Sequence, residues 1–240
     1  MATHETPGGV RTWYDEHGDG EPLVLLHPGG ADARAWAPNL DALAARFRVF
    51  TPEQRGHGRT PDVDGPITYE LMARDTIDFV ERVSGGPVHL VGHSAGACLA
   101  LVVVLRRPDL VRRLVLISGV FHWQGWVPSA IDETASAPSG LDPAVAEKLA
   151  RMNREEPAFA ASDLSRVTRR TLVMLGDDDE VVFDHVVAMY EGIPDAELAV
   201  VPGTSHGLLH EKPELCNSIV VDFLTTDPVQ TIAPLRRATR

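Results

Sequence analysis

Three short stretches of this chain carry residue types that could do covalent chemistry together. The first is Leu90-Val91-Gly92-His93-Ser94-Ala95-Gly96, a serine between two glycines after an apolar run. The second is Gly176-Asp177-Asp178-Asp179-Glu180, and the third is Gly203-Thr204-Ser205-His206-Gly207. A serine hydroxyl is a weak nucleophile unless a base takes its proton, and an imidazole base works best when a carboxylate fixes its tautomer. Ser94 as nucleophile and His206 as base would supply two of the three parts. The acid loop supplies the third, and its spacing leaves the choice open among Asp177, Asp178 and Asp179. A metal-binding reading of the same acids is the rival, but no EF-hand spacing follows them.

A nucleophile of this kind must stand on a sharp turn between a strand and a helix. Val88 to Val91 reads as a buried strand, and Ala95 to Arg107 as a helix that is apolar nearly all round and ends at Pro108. Glycines at 92 and 96 fit, because a Cβ at either would collide with nearby backbone. The N–H of Ala95, the residue after the nucleophile, faces any developing oxyanion. A second donor is expected from the loop Leu25-Leu26-His27-Pro28-Gly29-Gly30 after an inner strand. Of the ten histidines, His206 stands just past the last predicted strand, where sites gather in open sheets. His57, in Arg55-Gly56-His57-Gly58, also follows a strand, and His210 lies close to His206.

The remaining elements agree with an α/β chain built on a largely parallel sheet. Val10 to Asp15 reads as an edge strand, Leu23 to Leu26 as a buried one and Arg48 to Thr51 as a short one. Thr171 to Leu175 and Glu197 to Val201 return as strands. Helices are expected at 36–45, 68–83, 183–190 and 213–224. Thr68 is the N-cap of the second of these, and Gly85-Gly86 is its stop. No strand signal appears from Gly119 to Thr168, which reads as an insertion in a continuing sheet.

Composition narrows the function. The chain has 240 residues, 44% of them hydrophobic and 23% charged, enough for one well-buried core. A net charge of −12 argues against nucleic-acid binding. Two cysteines, Cys98 and Cys216, make neither a disulfide framework nor a zinc site. No apolar run is long enough to span a bilayer and the N-terminal stretch has no signal-peptide pattern, so a soluble cytoplasmic protein without a membrane partner is expected.

Taken together, the motifs resemble the α/β-hydrolase superfamily over nearly the whole chain. Ser94, Asp179 and His206 stand in the order that fold uses, and Gln54-Arg55-Gly56-His57-Gly58-Arg59-Thr60 is similar to the family's loop after its fourth strand. The resemblance selects Asp179 as the acid, third after Gly176. It implies a core of residues 1–118 and 169–226 and a small helical cap at 119–168, while the tail at 227–240 reads as loosely ordered from its terminal position. It also implies an oxyanion hole formed by the N–H groups of Gly29 and Ala95. One departure stands out: the family's His-Gly is His27-Pro28 here, and proline has no N–H to give.

A substrate pocket is expected to involve Gly30, His93 and the cap aromatics Phe121, Trp123 and Trp126. The alternatives are that His93 packs under the cap and that the aromatics only anchor the cap to the core. The resemblance implies a serine hydrolase of a small ester, lactone or thioester, needing neither cofactor nor metal. C–C bond hydrolysis, perhydrolysis, a cofactor-free oxygenase and a non-catalytic ligand receptor are the alternatives on the same scaffold. The oligomeric state is not legible.

Overall fold

The computed structural model describes residues 2–130 and 141–234. Eight strands form one sheet: β1 (Ala2–Glu5), β2 (Arg11–His17), β3 (Glu21–Leu26), β4 (Phe47–Pro52), β5 (Val88–His93), β6 (Val111–Ile117), β7 (Thr171–Asp178) and β8 (Ala196–Ser205). Their spatial order is β1-β2-β4-β3-β5-β6-β7-β8. β1 and β2 run antiparallel to their neighbours, and every pairing from β4 to β8 is parallel. Among the described residues seven α-helices complete the fold: α1 (Ala37–Ala44), α2 (Tyr69–Phe79), α3 (Ala95–Arg106), α4 (Pro143–Glu155), α5 (Phe183–Gly192), α6 (Leu208–Glu211) and α7 (Pro213–Thr225). Among the described residues none is long and apolar enough to cross a membrane.

Alternation along the inner strands divides the core in two. Leu23, Leu25, Val49, Val91, Val115 and Met174 face one side, where Leu43 of α1 and Val220 and Phe223 of α7 cover them. Val24, Leu26, Leu90, Leu116 and Val173 face the other, against α2, α3 and α5. Ten of the twelve residues of α3 are buried, as its all-round apolar sequence requires. Thr68 caps α2, its hydroxyl accepting the Leu71 N–H at 3.1 Å.

The structure differs from the sequence reading at one sheet margin. β1 is polar and mostly exposed, without the alternation that marks a strand, and it exists through its antiparallel pairing with β2. β2 is therefore flanked on both sides and is not an edge. At the other end, β7 and β8 run past their apolar stretches to Asp178 and Ser205, so they carry their loops directly. The α2 helix passes at Val80–Ser84 into a wider π-turn, which closes at Gly85 in the left-handed region (φ 81°). Between β6 and β7, α4 turns Val145, Leu149 and Met152 inward, at helical spacing on one face. Of the expected cap, 131–140 lies outside the described residues, as do 235–240 of the expected tail.

One buried ion pair ties the loop after β4 to α2. Arg55 Nε and Nη2 lie 2.8 and 2.7 Å from Asp75 Oδ2, with side chains only 7% and 10% exposed. Burial pushes the Asp75 carboxyl up, against the pull of Arg55. Removing one partner leaves the other charge uncompensated. Arg55→Ala is expected to lower unfolding free energy by about 3 kcal/mol, read as a shift of the urea midpoint. A variant as stable as the parent would contradict this account of the loop.

Candidate active site

The turn at Ser94 is strained and tightly held. Ser94 has φ 56° and ψ −122°, a conformation rare for any residue with a Cβ. Its N–H donates to the Ile117 carbonyl of β6 at 2.8 Å, and its carbonyl accepts from Ala97 and Cys98 in the first turn of α3. A Cβ on Gly92 would lie 2.1 Å from the Gly96 carbonyl oxygen, and one on Gly96 would lie 2.1 Å from that of Leu26. Both glycines are thus required by the close approach of β3, β5 and α3.

From that turn a continuous hydrogen-bonded chain runs to the acid loop. Ser94 Oγ lies 2.9 Å from His206 Nε2, and His206 Nδ1 lies 2.8 Å from Asp179 Oδ1. The other Asp179 oxygen accepts from Ser118 Oγ at 2.6 Å and from the Gly176 N–H at 3.1 Å. Burial alone would push the Asp179 carboxyl up. The bonds from His206 and Ser118 more than reverse this and hold it below the usual carboxylate range. Asp177 is exposed and accepts the Thr204 N–H at 3.0 Å, and Asp178 is exposed on the strand end. Of the three aspartates, only Asp179 reaches the imidazole.

Two further residues fix His206, and no motif singled out their role. Glu211 of α6 accepts from Ser205 N–H and Oγ at 2.7 and 2.6 Å, clamping the loop just before His206. His93 lies beneath that loop, 5% exposed, with Nε2 2.9 Å from the His206 carbonyl. Because a carbonyl only accepts, His93 carries its proton on Nε2. Burial, followed by the nearby His206, lowers its pKa to about 3. His93 therefore packs against the histidine loop.

The loop after β3 bears on the departure at Pro28. His27 Nε2 accepts the Gln54 N–H at 3.0 Å, which leaves its proton on Nδ1 to donate to the Pro28 carbonyl at 2.8 Å. In a trans peptide the carbonyl and the following N–H point in opposite directions. Drawing the Pro28 oxygen toward His27 turns the Gly29 N–H the other way. Among the described residues, no acceptor takes the N–H of Gly29 or of Ala95. A Cβ on Gly29 would stand 3.3 Å from that of Ala95, so the two residues are neighbours. Proline at 28 takes no donor from this pair. Gly30 serves the turn itself: with φ 69° it precedes Ala31, whose N–H bonds the Pro28 carbonyl at 3.2 Å.

The three aromatics of the expected cap part company. Trp126 stands edge-on to His206 with centroids 5.9 Å apart. Phe121 stacks on His185 of α5 at 3.9 Å, and its N–H donates to His185 Nε2 at 3.1 Å, so it fastens the segment to the core. Trp123 donates its N–H to the Pro157 carbonyl at 2.7 Å and faces His122, within the insertion. A narrow cavity touches Gly29, Ala95 and Gly96 and is bounded by Leu99, Leu149 and Met152; Gly30, His93, Phe121, Trp123 and Trp126 are not in its lining. Among the described residues, no group of three His, Cys, Asp or Glu side chains is placed to hold a metal ion.

Comparison with known proteins agrees with this architecture. The family described as alpha/beta hydrolase fold matches residues 21–162, and the chain belongs to it. It is 26% identical to a protein of Azorhizobium caulinodans carrying the name carbamate hydrolase RutD, over 90% of this chain and 96% of that one. It is 32% identical to the (E)-2-((N-methylformamido)methylene)succinate hydrolase of Acinetobacter baylyi, over 52% of this chain and 47% of that one. The enol-lactonase of Burkholderia xenovorans superposes with a TM-score of 0.79 at 20% identity, covering 93% of this chain and 100% of that one. These relatives are hydrolases, and so is this protein.

The buried histidines make a testable statement about stability. His27 and His93 both have folded pKa values of about 3, His27 chiefly through burial, against an ordinary value near 6.5. The unfolded chain binds their protons first, so stability is full above about pH 6.5 and declines as pH falls toward 3. Between pH 7 and 5 each should lose about 2 kcal/mol, seen as falling urea midpoints. His93→Asn should remove about half of that loss. The same pH dependence in the variant would contradict the assignment.

Proposed function

We propose that this protein is a serine hydrolase that cleaves small carboxylic esters or lactones through an acyl-enzyme on Ser94. The observation that carries the proposal is the chain Ser94 Oγ to His206 Nε2 at 2.9 Å and His206 Nδ1 to Asp179 Oδ1 at 2.8 Å. Ser94 Oγ attacks the substrate carbonyl carbon while its proton passes to His206 Nε2. The carbonyl oxygen becomes an oxyanion held by the N–H groups of Gly29 and Ala95. The tetrahedral species collapses, and the alkoxide leaving group departs with the proton from His206. Ser94 is left as an ester of the acyl group. Water then attacks that ester, gives a proton to His206, and releases the acid and free Ser94 by the same steps reversed. Asp179 keeps the His206 proton on Nδ1 before attack and balances the imidazolium after it.

Residues 119–168 act in this reading as a cap. Trp126 against His206 and the Leu149 and Met152 side of α4 at the cavity support that role. No step calls on a cofactor.

Ser94→Ala should lower kcat/KM for p-nitrophenyl acetate or butyrate by at least about 10⁴-fold while leaving the urea midpoint in place. Graded p-nitrophenyl esters, lactones and acyl thioesters run on both proteins would fix the bond class. A fluorophosphonate should label the parent at Ser94. Activity that survives in Ser94→Ala would sink the proposal, and absence of labelling would point to a ligand-binding role.

A further inference from the structure

One buried group beside the cavity takes no part in the steps above. His57 stands in the turn after β4, 2% exposed, with Nδ1 2.9 Å from the Arg55 carbonyl. That carbonyl can only accept, so the ring proton is on Nδ1 and Nε2 is a bare acceptor. Nε2 is buried and has no hydrogen-bond partner among the described residues. Its neighbour His27, with ring centroids 5.0 Å away, has both nitrogens occupied by Gln54 and Pro28. A buried polar atom without a partner is rare in a folded protein.

His57 is among the residues lining the narrow cavity that also touches Gly29 and Ala95. Leu99, Leu149 and Met152 make an apolar boundary. The enclosed part has room for a group about the size of one water molecule. The cavity is thus lined both by the residues of the proposed oxyanion donors and by His57, whose Nε2 lacks a partner.

Resting on the acyl-enzyme reading, the geometry also says which half of a substrate belongs there. The water of the second half-reaction must approach through His206, whose side chain is 20% exposed. The cavity lies instead beside Gly29 and Ala95, with Leu99 of α3 and Leu149 and Met152 of α4 in its lining. The leaving group and the incoming water need an open path, and the acyl group, which stays on Ser94 between them, does not.

We propose that His57 sets acyl specificity: its Nε2 accepts a hydrogen bond from a hydroxyl on a short acyl group, so the preferred substrates are esters or lactones of small hydroxy acids. An acyl group of the same size without a donor leaves the acceptor unpaired, and sites built to bond a substrate hydroxyl reject such analogues strongly.

The test compares phenyl glycolate with phenyl propionate, which differ by hydroxyl against methyl at the end of the acyl chain. Each kcat/KM is divided by that ester's rate with hydroxide, to remove intrinsic reactivity. The parent protein should favour glycolate by about 10- to 100-fold. In His57→Leu the ratio should fall to about one or below, and His57→Gln, which keeps an acceptor oxygen, should restore part of it. Propionate turnover with a parent ratio near one, or an unchanged ratio in His57→Leu, would overturn the inference and leave the serine mechanism standing. Fluorophosphonate labelling with neither ester turned over rejects the short hydroxyacyl assignment. No labelling and no turnover rejects the serine mechanism and this inference with it. If His57→Leu does not fold, the parent ratio and His57→Gln decide the matter.

Discussion

The site depends on how closely α3 is pressed against the sheet. A helix that starts directly behind a strand end forces the residue between them into a conformation that L-amino acids avoid. Here Ser94 adopts it at φ 56°. Such strain costs about 1–3 kcal/mol and persists only where the surroundings over-determine it. Those surroundings are the Ile117 carbonyl holding the Ser94 N–H, two helical N–H groups on the Ser94 carbonyl, and a largely apolar α3 buried between α2 and β3, β5 and β6. The same closeness leaves no space for a Cβ at 92 or 96. It also brings the Leu26–Gly30 loop alongside Ala95, so one packing constraint places both Ser94 and the proposed oxyanion donors.

The other two members of the chain come from strands that are not neighbours of β5. β6 separates β5 from β7, and β7 pairs with β8. Parallel pairing in register delivers Asp179 and His206 to the same sheet edge as Ser94. Side chains outside the chain then remove the remaining freedom. Ser118 and the Gly176 N–H fix the carboxylate, Glu211 and His93 fix the histidine loop, and His27 fixes the Pro28–Gly29 peptide. His27 must be neutral for its Nε2 to accept the Gln54 N–H, and burial favours that form.

Much of this was legible in the sequence because it is written in local pattern. A β-branched run, a Gly-x-Ser-x-Gly turn and an apolar helix specify the elbow, and the glycine-rich ends of two later strands mark the acid and histidine loops. The choice among Asp177, Asp178 and Asp179 was not local. It depends on which carboxylate Ser118 and Gly176 can reach, and only the resemblance supplied it. β1 escaped because a polar edge strand has no alternation to read and forms through its partner. The roles of His93 and Glu211 escaped because His93 bonds a backbone carbonyl distant in sequence and Glu211 reaches back from α6 to Ser205. The lone pair on His57 depends on a tautomer set by a carbonyl two residues away, which no spacing encodes. Aromatic content flagged three cap residues equally, yet packing brings only Trp126 to His206, since Phe121 is committed to His185.

The central claim is that Ser94 carries the acyl group during turnover. Its most direct measurement is intact-protein and peptide mass spectrometry of the enzyme rapidly quenched in acid after mixing with excess p-nitrophenyl acetate. The account predicts a transient species heavier by one acetyl group, localised to Ser94 and absent from Ser94→Ala. Steady turnover with no covalent species at any quench time, or an acetyl group on another side chain that appears at the turnover rate, would contradict it.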